Sequence, residues 1–157
     1  LGGAIAQLYA LKYPQDIKAL VLSGTGARLR VAPEFLSLMR DGIENPSIWL
    51  KNFVEPRYSR VAPAVREGII KKVAEVGAAV QLNDFLCCDK FDIMDKVYQI
   101  KVPTLIICGS EDEMTPPKYS SYLANKIEGA KLIIIGGGTH LVFAEKPKVV
   151  LLLLVCR

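Results

Sequence analysis

A single histidine closes a run of glycines near the carboxyl end of the chain, in Gly136-Gly137-Gly138-Thr139-His140. An isolated histidine is more often a satisfied surface or core residue than a functional one, but the setting of His140 is specific. It follows the apolar run Lys131 to Ile135, and in open parallel sheets the reacting groups gather beyond the carboxyl ends of strands. Asp112 holds the equivalent place after the preceding apolar run, within Gly109-Ser110-Glu111-Asp112-Glu113-Met114-Thr115-Pro116. Taken alone, this aspartate reads as a turn or helix-cap residue, and Glu111 and Glu113 as solvated charge. One helix and one strand separate Asp112 from His140, so adjacent parallel strands would bring the two loops side by side. A carboxylate beside an imidazole fixes its tautomer and stabilises its cation. The other ring nitrogen is then left as a base for a nucleophile.

The segments that must position this pair are legible from periodicity. After Leu1-Gly2-Gly3, the residues Ala4, Ile5, Leu8 and Leu11 recur at helical spacing. That helix is expected to stop near Tyr13-Pro14, because the residue before a proline avoids the helical region. Ala19 to Ser23, closed by Gly24-Thr25-Gly26, reads as a short buried parallel strand. Thr104 to Cys108, stopped by Gly109, and Lys131 to Ile135 are the second and third strands. Pro116-Pro117 opens a helix between them, and Pro147 opens a last one. No strand pattern occurs from 29 to 99, where Pro33, Pro46 and Pro63 each open a helical segment and 78–91 is helical again. The span 29–99 is expected to be a helical insertion serving as a lid. The fold class is therefore α/β, with three parallel strands, flanking helices and right-handed crossovers. Three strands are few for such a sheet, and Ala19–Ser23 leaves one flank open, so the pattern reads as the second half of a larger sheet.

Gly109-x-x-Asp112-x-x-x-Pro116, followed by Gly138-Thr139-His140 and Glu145-Lys146-Pro147, resembles the acid and histidine segments of the α/β-hydrolase fold family. Leu1-Gly2-Gly3-Ala4-Ile5-Ala6-Gln7 resembles the residues just after the nucleophile in that family's Gly-x-Ser-x-Gly-Gly elbow. The order nucleophile, acid, histidine also agrees. The resemblance covers nearly the whole chain, 1–157, as a single partial α/β-hydrolase domain with 29–99 as its lid. It implies that His140 is general base and then acid, that Asp112 orients it, and that Leu1 stands where the family's oxyanion-hole amide does. It further implies a serine esterase-like or lysophospholipase-like enzyme, acting on a small apolar ester or acyl substrate with no metal and no organic cofactor. Members with an Asp nucleophile, which open epoxides or displace halide, more often have Trp directly after it, so Leu1 favours Ser.

The nucleophile would be the residue before Leu1, which does not read as a natural start. As written, the 157 residues are expected to be inactive, holding acid and base with nothing to activate. Ser23 and Ser110 lie at strand ends but outside any Gly-x-Ser-x-Gly turn, and the adjacent Cys87 and Cys88 read as packing in a lid helix. Gly24-x-Gly26 lacks the third glycine and the helix that would complete a dinucleotide loop. Phe35, Leu36, Met39, Trp49, Phe53 and Phe85 are candidates to line an apolar acyl pocket, with ordinary core packing the commoner fate of such residues.

Composition narrows the alternatives. Hydrophobic residues make up 51% and charged residues 23% of the chain, as in a globular domain rather than a disordered one. Lys and Arg exceed Asp and Glu by 20 to 16, but they are scattered, so no nucleic-acid partner is expected. The longest apolar run, Val149 to Cys156, is far shorter than the roughly 20 residues of a membrane span, and no secretory leader is visible. Cys87, Cys88, Cys108 and Cys156 show no disulfide or zinc spacing, so reduced thiols in a cytoplasmic protein are expected. The alternative function is a non-catalytic interaction module, a homodimer formed through the open edge of Ala19–Ser23.

Overall fold

The computed structural model describes residues 1–155; Cys156 lies outside the described residues. In chain order the elements are α1 (Gly2–Lys12), β1 (Leu20–Ser23), α2 (Pro33–Glu44), α3 (Pro46–Trp49) and, after a π turn (Leu50–Val54), α4 (Glu55–Arg57). They continue with α5 (Pro63–Lys90), β2 (Thr104–Gly109), α6 (Pro117–Lys126), β3 (Lys131–Ile135), α7 (Val142–Glu145) and α8 (Pro147–Val155). Proline stands first in α2, α3, α5, α6 and α8, where its missing N–H costs nothing and its fixed φ suits a helix start. Pro56, inside α4, has no N–H to return to the previous turn, and the segment before it is a π turn in which the Glu55 N–H reaches back to the Leu50 carbonyl. Within α5, Gly77 (φ 81°, ψ 164°) breaks the path into two helical segments, at the boundary the apolar spacing suggests. The single turn of α7 is too short to leave a periodic signal.

The chain divides into two compact units. One joins residues 1–29 to those from Phe91 onward; the other is Arg30–Lys90. In the first, the strands form one parallel sheet in the order β1-β2-β3, with Leu22 opposite Ile106 and Ile107 opposite Ile133. Every residue of the central β2 is buried. Leu105, Ile107, Ile135 and Val142 make a core onto which α8 lays Val150 and Leu153, three residues apart. Its other face leaves Leu151, Leu152, Leu154 and Val155 in solvent. Gln7, fully buried on α1, donates from Nε2 to the carbonyl oxygens of Gly3 (3.0 Å) and Gly26 (3.1 Å), tying α1 to the loop after β1.

The helical unit is narrower than the 29–99 expected. Residues 91–99 belong to the sheet-bearing unit because the chain is stitched there. Leu29 N–H donates to the Phe91 carbonyl (3.2 Å) and Ile93 N–H to that of Ala27 (2.8 Å), and Phe91, Ile93 and Val97 are buried. Arg30–Lys90 has its own core of Met39, Trp49, Phe53, Val54 and Ala78, with Phe35 and Phe85 edge-on to Phe53 at 6.0 and 6.1 Å. The Arg57 guanidinium lies 3.3 Å over the Phe53 ring. Five of the six residues considered as acyl-pocket lining are thus core of this unit, and Leu36 is half-buried. Among the described residues no helix is long and apolar enough to cross a membrane.

Truncation of Ile107 to Ala should lower the unfolding free energy by about 2–5 kcal/mol, since it empties the middle of a closed core. Leu152→Ala, at a position 62% exposed, should stay within about 0.5 kcal/mol. Urea denaturation of the two variants checks both values.

Candidate active site

The site begins where β2 and β3 end. Gly109 lies so close to the next loop that any Cβ would overlap the Gly138 carbonyl. Around that contact Ser110 N–H donates to Ile135 O (3.0 Å), Glu111 N–H to Gly138 O (2.9 Å), and Gly137 N–H to Ser110 Oγ (2.9 Å). Ser110 is therefore a brace between the loops, with its oxygen already engaged.

Asp112 comes directly after, and its side chain is fully buried. Its Oδ1 accepts the backbone N–H groups of Met114 (3.0 Å) and Thr115 (2.8 Å), and its Oδ2 accepts the Thr115 hydroxyl (2.9 Å). On the facing loop, His140 presents Nδ1 to both carboxylate oxygens, 3.0 Å from Oδ2 and 3.1 Å from Oδ1, with Thr115 Oγ1 at 3.2 Å. The histidine side chain is 29% exposed. Its loop is fastened from behind by Glu145, whose carboxylate accepts the Thr139 backbone N–H (2.9 Å) and hydroxyl.

A third wall comes from β1. Gly24 has φ +54°, the left-handed region that glycine enters without steric cost. A Cβ there would stand 3.2 Å from His140 Nδ1 and Cε1 and 3.3 Å from Asp112 Oδ2. The next residue, buried Thr25, meets α1 so closely that a Cβ on Gly3 would reach within 2.5 Å of its hydroxyl oxygen.

The structure thus joins Asp112 and His140. Leu1 is the exposed N-cap of α1, its carbonyl accepting from Ala4 (2.9 Å) and Ile5 (3.2 Å), and it is not a partner of either residue. Ser23 Oγ finds no hydrogen-bond partner. Cys87, Cys88 and Cys108 are all free thiols, the last two buried. Among the described residues no three His, Cys, Asp or Glu side chains gather as a metal site would require. Residue order gives no role to Thr115, Glu145 or Gly24. Thr115 stands in the acid segment and Glu145 in Glu145-Lys146-Pro147, but their partners lie across chain separations that no spacing rule reports.

Burial alone would raise the Asp112 pKa. The hydrogen bond and positive charge of His140, with the two hydrogen bonds from Thr115, outweigh it and hold the carboxyl below the usual carboxylate value. Being ionised, it can only accept, so the proton shared with His140 sits on Nδ1 and Nε2 carries the lone pair.

The family model for serine aminopeptidase, S33, matches residues 1–147. The chain belongs to this family of α/β hydrolases. It is 25% identical over 161 residues to the pimeloyl-[acyl-carrier protein] methyl ester esterase of Neisseria meningitidis serogroup C, covering 91% of this chain and 60% of that esterase. Among solved structures, a thermophilic esterase is 32% identical with a TM-score of 0.77, covering 97% of this chain and 60% of its own. The enol-lactonase of Burkholderia xenovorans LB400 shares the fold at a TM-score of 0.84 and 20% identity, over 99% of this chain and 61% of that one. The chain spans about 60% of the length of these three relatives.

The depressed Asp112 pKa has a consequence for stability. A carboxyl that binds its proton more weakly folded than unfolded stabilises the fold above its unfolded pKa, about 3.9, and that contribution is lost as pH falls through the lower folded value. Wild-type unfolding free energy should therefore drop as pH falls below about 4, and Asp112→Asn should lack that part of the drop. Urea titrations at stepped pH from 6 downward measure it.

Proposed function

We propose that this chain carries the acid and the base of a serine-type hydrolase acting on carboxylic esters or related acyl compounds of small apolar substrates. The observation that carries the reading is the double contact of His140 Nδ1 with the Asp112 carboxylate, beyond the ends of two adjacent parallel strands. His140 Nε2 takes the proton of the attacking nucleophile and later returns it to the leaving alcohol. Asp112 stabilises the imidazolium formed between those steps without itself becoming protonated.

The nucleophile is assigned to the residue immediately before Leu1. Support comes from the 24–26 loop, a wall common to the first turn of α1, through Gly3 and Thr25, and to the acid–base pair, through Gly24. By the family resemblance, the Leu1 nitrogen, as a peptide N–H, would help bind the developing oxyanion. Two relatives are esterases by name, which favours ester hydrolysis over other acyl chemistry. The helical unit, Arg30–Lys90, is assigned the part of a lid. The free Cys87, Cys88 and Cys108 support a reducing, cytoplasmic setting.

A second reading rests on β1, which among the described residues pairs with β2 alone and offers an open ladder edge. A non-catalytic module would close that edge with β1 of a second copy across a two-fold axis.

Intact mass and hydrolysis of a short-chain chromogenic ester, measured on one sample, separate the readings. The chain at 17.2 kDa should show no turnover, and the form extended through the nucleophile should be active. In that form His140→Ala and Asp112→Asn should each lower kcat by about ten-thousand-fold or more. Turnover at an intact 17.2 kDa would overturn the assignment of the nucleophile. A monodisperse dimer, with an inactive extended form, would favour the module.

A further inference from the structure

Thr115 does more than the acid–base pair requires. Asp112 already has a bond from His140 to each carboxylate oxygen, and a backbone turn through Met114 and Thr115 N–H would suffice to hold Oδ1. The buried Thr115 side chain adds a third element: its hydroxyl oxygen stands 2.9 Å from Asp112 Oδ2 and 3.2 Å from His140 Nδ1 at once. A hydroxyl has one proton. The ionised carboxylate can only accept, so that proton goes to Oδ2 and the oxygen turns its lone pairs toward the ring N–H.

This placement has two effects. The backbone N–H of Thr115 on Oδ1 and its O–H on Oδ2 grip the carboxylate at both ends, so it cannot rotate about its Cβ–Cγ bond away from the imidazole. Donation to Oδ2, the oxygen nearest Nδ1, also draws charge from the atom that holds the ring proton. We propose that Thr115 is a positioning residue of the site, whose hydroxyl fixes the Asp112 carboxylate against His140. The kinetic part rests on the hydrolase reading above; the spectroscopic part does not.

The charged surroundings of His140 are few. Asp112 is the charged group bonded to the ring. Glu145 is committed to Thr139 on the same loop, while Lys146 Nζ and Glu111 Oε1 lie beside Gly137, at 3.7 and 3.9 Å from where its Cβ would be. The β1 side presents Gly24, which has no charge. With the hydroxyl gone, Oδ2 loses its anchor and the carboxylate is free to turn away from Nδ1–H.

Nuclear magnetic resonance of the exchangeable ring protons, with the His140 signal assigned by its loss in His140→Ala, reads the contact directly: the Nδ1–H resonance should lie far downfield, as in a strong bond to an ionised carboxylate. Thr115→Val keeps the shape and removes the hydroxyl, Thr115→Ala cannot overpack, and both should displace or broaden that resonance. Thr115→Ser keeps the hydroxyl and should match wild type. In the active, extended form Thr115→Val should lower kcat roughly tenfold with KM unchanged, and Thr115→Ser should restore it. An unchanged resonance in the Val and Ala variants would overturn the proposal, and so would a change in Ser equal to that in Val. Retained turnover in His140→Ala would defeat the hydrolase reading instead, leaving the spectroscopic result to stand by itself.

Discussion

Two stretches of backbone in direct contact hold this site together. At the end of β2, Gly109 approaches Gly138 more closely than any side chain would allow, and the hydrogen bonds of Ser110, Glu111 and Gly137 form around that approach. Parallel strands point their carboxyl ends the same way, so the loops after β2 and β3 emerge on one side of the sheet. The glycine contact turns that general proximity into a distance at which Asp112 and His140 share a proton. The rest of the sheet-bearing unit serves it: a wholly buried β2 fixes the height of the loops, and Gly24 closes the third side.

A buried carboxylate is costly unless every lone pair finds a donor. Asp112 meets that condition with two backbone N–H groups, one hydroxyl and the imidazole. The order of dependence matters here. The Asp112–Thr115 turn satisfies both carboxylate oxygens from within four residues of chain, so the acid is held ionised and oriented by its own loop. His140 is then delivered to it by the loop that Glu145 fastens through Thr139. A preorganised acceptor of this kind fixes the ring orientation and holds the neutral-ring proton on Nδ1.

Much of this could be read from residue order. Short apolar runs ending in glycine marked all three strands, prolines marked five helix starts, and the acid and histidine stood at equivalent strand ends. The limits of the helical unit were less legible. Residues 91–99 come after a helix without a break in composition, and only the pairing of Leu29 with Phe91 and Ala27 with Ile93 returns them to the sheet-bearing unit. Phe35, Met39, Trp49, Phe53 and Phe85 were candidates for a pocket as well as for the commoner fate of core packing, since aromatic and aliphatic side chains at helical spacing suit either. Their mutual packing decided for the core.

The sequence by itself determined the local and periodic features: the strands, the helix starts, the α/β class, and the two residue types at the strand ends capable of acid–base chemistry. The tertiary structure alone decided which further groups join that pair. Thr115 meets His140 across 25 positions and Gly24 meets both members of the pair across far more, while Glu145 turns back six residues to hold Thr139. Hydrogen bonds require donor and acceptor within about 3 Å, and a spacing pattern records which face a residue is on but not which atom waits there.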